Sequence, residues 1–165
     1  MVGPHVNRSR RKQEHMNTAR NRALVRCSWE SMKPMSAHVA DLFHDRLFEL
    51  DPSLEELFPE DLQAQRLRFQ KALGAVMGGL DDLPGMLPLL QDVGRRLDNL
   101  GFRAGQYVLM GKALLWTFEQ TLAEEFTPAV KEAWASLYAF ASSAMIAGTE
   151  SRELHKPRAQ TQWAM

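Results

Sequence analysis

LDDLPGMLPLLQDVGRRLDNLGF, residues 80–102, decides the fold class. Its apolar positions Leu83, Met86, Leu87, Leu90, Val93 and Leu97 are separated by 3, 1, 3, 3 and 4 residues. This is the stripe of one helix face, not the alternation of a strand. Leu83-Pro84 opens the element, and Asp98, Asn99 and Gly101 break the period at its end. Leu97 therefore belongs to the inward face.

The same period extends on both sides. Leu24, Val25, Trp29 and Met32 define a helix over 19–33 that Pro34 interrupts. Val39, Leu42, Phe43, Leu47 and Leu50 define a second, with Arg46 beside that face and expected to extend its charge to solvent. Asp51 is a good N-cap and Pro52 fits a first helical position, so a short helix is expected to end near Phe58. Pro59, Glu60 and Asp61 then open a long helix with Leu62, Phe69, Leu73, Val76, Met77 and Leu80 in register. A helix from about Arg103 to Leu122 is expected to bury Tyr107, Leu114, Leu115, Phe118 and Leu122. Thr127-Pro128 caps the last, which places Val130, Trp134, Leu137, Tyr138, Ala141 and Met145 inward and is expected to stop at Gly148. No stretch has strand period and nothing repeats, so the fold class is all-α.

Composition narrows the function classes. A chain of 165 residues with 45% hydrophobic content supports one packed domain. Residues 1–18 read as a basic flexible arm, 19–149 as the domain and 150–165 as a polar tail. Residues 1–22 carry six basic side chains (Arg8, Arg10, Arg11, Lys12, Arg20, Arg22) against Glu14, although the whole chain balances at 20 of each sign. Nucleic-acid binding is thus not expected beyond a weak contact by the arm, and Met16 offers a second start. The one cysteine, Cys27, and the lack of an 18-residue apolar run point to a cytoplasmic protein that does not span a membrane. No phosphate-binding glycine loop, CxxC or HExxH spacing occurs, and the histidines at 5, 15, 38, 44 and 155 form no local ligand cluster. Acid-rich stretches such as EELFPED have a structural reason at helix N-termini, so no catalytic residues are assigned.

Four segments together resemble one family. LFHDRLFELDPSLEELF (42–58), LDDLPGMLPLLQDVGRRLDNLGF (80–102), GQYVLMGKALLW (105–116) and FTPAVKEAWASLYAF (126–140) are similar to the corresponding stretches of globins. The likeness is to bacterial single-domain haemoglobins and the haem domain of flavohaemoglobins, and it runs from about Ala19 to Gly148. It implies a globin-like helical fold with a short or absent fourth helix. It also implies a haem b pocket lined by Phe43, His44, Phe58, Gln65, Phe69, Val93, Leu97 and Tyr107, and binding of oxygen, nitric oxide or a related diatomic gas. Phe58 matches the phenylalanine that stacks on haem, and Gln65 a distal glutamine. The reductase of flavohaemoglobins has no counterpart in these residues, so turnover would require an external one.

Three positions depart from the family pattern. The proximal histidine that binds iron corresponds to Leu97, which offers no lone pair. The distal tyrosine corresponds to His44. The glutamate near the end of the last helix corresponds to Thr149 rather than Glu150, while its tyrosine partner is kept as Tyr107. A buried Tyr107 hydroxyl without a partner would cost roughly 1–3 kcal/mol, so it is expected to find a carbonyl, a water or solvent. His44 is either a helix histidine bonded to a neighbour or a distal group, and in the second case a candidate metal ligand. The two functional expectations are a haem-binding globin with non-standard ligation, and a haem-free globin-like regulatory or sensor module. The latter would hold an apolar ligand or a protein partner. A dimer through the last two helices stays open.

Overall fold

The computed structural model describes residues 19–58 and 61–153. They form α1 (Ala19–Met32), α2 (Ser36–Leu50), α3 (Leu62–Gly78), α4 (Leu87–Asn99), α5 (Ala104–Leu122) and α6 (Pro128–Glu153). Short 3-10 turns at Lys33–Met35, Pro52–Leu57, Pro84–Met86 and Ala123–Glu125 connect them. No strand occurs among the described residues, as the helical period requires. The arm, Met16 and the last twelve residues of the tail lie outside the described residues.

Cap chemistry sets several ends. Asp51 accepts from the Ser53 backbone N–H at 3.1 Å with Pro52 at the first position, so the element there is the expected short one, wound as a 3-10 turn. α3 begins at Leu62, an interval too short for a further helix after that turn. Asp61 caps α3 through the Gln63 N–H at 3.1 Å. At the other end of the quoted stretch, Gly101 has φ +98°. The Phe102 N–H reaches the Leu97 carbonyl and the Gly101 N–H the Asp98 carbonyl, both at 2.9 Å. This is a Schellman motif, which needs a residue free of the Cβ penalty where Gly101 stands. It turns Phe102, 2% exposed, into the core.

α4 packs most extensively on α6, α2 on α5, and α1 on α6. The α4–α6 crossing is glycine-made. A Cβ on Gly94 would stand 2.0 Å from the Met145 carbonyl oxygen, and one on Gly148 would stand 2.6 Å from that of Gln91. Gly148 therefore does not stop the last helix, which continues to Glu153 past the expected boundary at 149. The glycine is there because α4 passes too close for a side chain.

At the other end of the molecule Trp134 packs on Phe118, 4.4 Å between ring centroids, and donates its indole N–H to Ser28 Oγ at 2.8 Å. Ser28 is buried, and its hydroxyl bonds back to the Leu24 carbonyl at 2.8 Å. Both polar groups are thus satisfied inside the core. Arg46 stretches along the surface, its guanidinium 5.0 Å from the Trp116 ring centroid and paired with the exposed Glu49 at 3.0 Å. No described helix is long and apolar enough to cross a membrane.

Candidate functional site: an apolar cavity between α2, α3, α4 and α6

A cavity separates α3 from the α4–α6 pair. It offers about 190 Å³ to the centres of water molecules, where about 10–15 Å³ suffices for one. The interior has not closed beside Leu97. Phe43, His44, Phe58, Gln65, Phe69, Val93 and Leu97 all line it, so the structure brings together seven of the eight pocket residues expected from sequence.

The eighth does not belong to that lining. Tyr107 is 4% exposed, and its ring meets Phe102 edge-on at 5.2 Å. Its hydroxyl is buried and has no hydrogen-bond partner among the described residues, so the expected carbonyl does not take it. Burial, with the Asp98 carboxylate second, pushes its pKa up to about 12, so the group stays neutral. The tyrosine that does line the cavity is Tyr138, whose hydroxyl donates to the Tyr107 carbonyl at 2.5 Å. Gly111 makes its room, since a Cβ there would stand 2.5 Å from the Tyr138 ring.

His44 is the polar centre of the wall formed by α2. It is 2% exposed, among Phe43, Phe69 and Phe48 at centroid distances of 5.0, 5.6 and 6.1 Å. Phe69 stacks face to face on Phe43 at 4.3 Å. The His44 Nδ1 lies 2.8 Å from the Ala40 carbonyl oxygen. A carbonyl only accepts, so Nδ1 carries the proton and donates it. The lone pair of the neutral ring is then on Nε2, the nitrogen left for whatever occupies the cavity. Burial holds the His44 pKa below its ordinary value; the Ala40 bond opposes this and the Arg66 charge adds to it. The ring is therefore neutral at pH 7 and able to act as a ligand.

The opposite wall has no such group. Leu97, 8% exposed, presents methyl groups between Val93 and Leu100. Arg68 on α3 and Arg96 on α4, charged residues not singled out from sequence, are also among the lining residues. Arg68 lies one turn beyond Gln65 and Arg96 adjoins Leu97, so sequence position offered a signal for both. Among the described residues no group of three or more His, Cys, Asp or Glu could hold a metal ion.

An all-helical domain thus encloses an apolar cavity with one neutral imidazole in its wall. The comparisons with known proteins place this arrangement in a family. The globin family model matches residues 41–145, so the chain belongs to the globin family. Neuroglobin of Danio rerio is 28% identical over 151 residues, spanning 83% of this chain and 95% of that protein. The flavohemoprotein of Bacillus subtilis is 28% identical over 107 residues, 63% of this chain but only 27% of its own length. The fold matches a solved hexacoordinated heme protein from an anhydrobiotic tardigrade, with a TM-score of 0.75 at 20% identity. That match spans 81% of this chain and 95% of the other.

Proposed function

We propose that this globin binds haem b through His44 on α2, with no ligand from α4. The observation that carries the reading is the pairing of a neutral imidazole, its Nδ1 bonded to Ala40, with a leucine on the facing wall. The residues present fit haem in three respects. The cavity walls are apolar, which suits a porphyrin. His44 offers one nitrogen, the donor type that haem iron takes in globins. Arg68 and Arg96 among the lining residues suit carboxylates at a ligand's edge. Haem, when bound, would supply an iron that takes a diatomic gas such as oxygen or nitric oxide.

The chain's own residues set the surroundings. Phe43, Phe58, Phe69, Val93 and Leu97 exclude water. The Ala40 carbonyl fixes the tautomer and orientation of His44. Gln65 supplies an amide for a polar atom on the α3 side. Redox turnover would draw on a separate reductase. The kinship to bacterial haem domains rests on the four segments quoted above, and the flavohemoprotein match supports it. The exposed, unpaired Cys27 suits a reducing cytoplasm. Leu97, closing an apolar wall around an open cavity, supports a second reading, in which the domain holds an apolar ligand without iron and acts as a regulatory module.

Titration of the purified protein with hemin tests the first reading. A saturable one-to-one Soret band that is lost in His44→Ala is expected. A band unchanged in His44→Ala removes His44 as the ligand, and no saturable band in the wild-type protein leaves the iron-free reading.

A further inference from the structure

The 17-residue helix α3 has no buried residue. Phe69, Leu73 and Val76 stay half-buried because the cavity, not protein, lies beneath them. Its packing runs along one edge, against α2. On the cavity side that edge is the Phe69–Phe43 stack, and farther along Ser36 Oγ donates to Gln70 Oε1 at 3.3 Å. A further tie is ionic. Arg66 Nε lies 3.0 Å from an Asp41 oxygen and its Nη2 3.3 Å from one of Asp45. The first is an ion-pair contact and the second a directed hydrogen bond.

The register of this cluster matters. Asp41 and Asp45 bracket His44, three residues before it and one after. Arg66 follows Gln65 directly and precedes Phe69 by one turn. The clamp therefore fixes α3 at the level of the cavity's polar residues. By contrast α4, on the far side, is fixed to α6 by backbone contact at Gly94 and Gly148. One wall is rigid and the other is attached along a single edge.

We propose that Arg66, Asp41 and Asp45 form a hinge that holds α3 on α2, making α3 the wall that opens and closes over the cavity and sets Gln65 and Phe69 against a bound ligand. Arg66 is a positioning residue, acting through α3. The inference rests on the reading of the cavity as a ligand site. The clamp faces solvent: the Arg66 side chain is 23% exposed and its partners 50% and 63%. Pairs of this kind weaken in salt. A lysine places one point charge where arginine spans two carboxylates, so it restores part of the clamp.

Hydrogen exchange of the full chain, followed helix by helix, tests this without any ligand. In Arg66→Met the amides of α3 are expected to exchange about three- to tenfold faster, the range two weak ion pairs allow, with α4 and α6 unchanged. Arg66→Lys should fall between. Salt at about 0.5 M should accelerate α3 exchange in the wild-type protein and leave Arg66→Met unaffected. Equal α3 exchange in the two proteins overturns the proposal, and so does acceleration spread evenly over all helices. In hemin-loaded protein, release to an excess scavenger should rise by a similar factor in Arg66→Met, and an unchanged release rate also overturns it. If hemin does not bind the wild-type protein, the haem reading fails, and the exchange measurement still decides the hinge.

Discussion

Replacing Tyr107 by phenylalanine removes one buried oxygen from the core. The hydroxyl is buried without a partner among the described residues, whereas in the unfolded chain it bonds to water. Leaving such a group unsatisfied costs about 1–3 kcal/mol. The ring stays, with its edge-on contact to Phe102 at 5.2 Å, so little packing is lost. Tyr107→Phe is therefore expected to gain about 1 kcal/mol or more, a rise in Tm of about 2–4 °C per kcal/mol for a domain of this size. Urea unfolding measures it: the midpoint should rise at constant slope. The family resemblance pairs this hydroxyl with a histidine at position 97. In a Leu97→His background the hydroxyl should gain that partner, and Tyr107→Phe should turn from stabilising to destabilising. The difference between the two backgrounds is the coupling energy. A loss of about 1 kcal/mol for Tyr107→Phe in the wild-type background would refute the reasoning, because it would mean that the hydroxyl is already satisfied.

Two further outcomes follow from the packing and the imidazole. Gly94→Ala places a methyl group 2.0 Å from a backbone oxygen of α6, which no rotamer change relieves, so a loss of about 3 kcal/mol or more in urea unfolding is expected. Stability like the wild type would mean that α4 and α6 do not cross so closely. His44 has a lowered pKa in the fold, so the unfolded chain binds its proton more readily. The stability it contributes is complete above the ordinary value near 6.5 and is lost as pH falls through that value toward the lowered one. Thermal melts between about pH 7.5 and pH 5 should show a drop that His44→Leu removes, and an equal drop in His44→Leu would assign it to other groups.

Much of the fold could be read from residue spacing, because helical burial leaves a 3.6-residue record in the chain. The Asp51-Pro52 cap stands where expected, while the stripe from Leu83 to Leu97 is divided: the α-helix begins only at Leu87, after a 3-10 turn at Pro84–Met86. What escaped was whatever depends on the partner across the interface. Gly148 carries the same signal whether it ends a helix or admits another one, and only the approach of Gln91 distinguishes the two. The apolar register of α3 was legible, but it faces a void and stays half-buried. Tyr107 was assigned to the pocket by resemblance, whereas the tyrosine that lines the cavity is Tyr138, in the room left at Gly111. The seven expected residues that line the cavity had been implied by the family resemblance of the segments that carry them. Arg68 and Arg96 were missed because a charged residue at the edge of an apolar stripe reads as solvated surface.

The central claim is that the donor lies on α2 and that α4 contributes none. Hemin titration of four proteins (wild type, His44→Ala, Leu97→His and the double variant) tests it most directly. A saturable Soret band is expected in the wild type, lost in His44→Ala, present in Leu97→His and restored in the double variant by a histidine on the opposite wall. An unchanged band in His44→Ala, or none in the double variant, would contradict the account: the first because the donor is elsewhere, the second because position 97 does not face the iron.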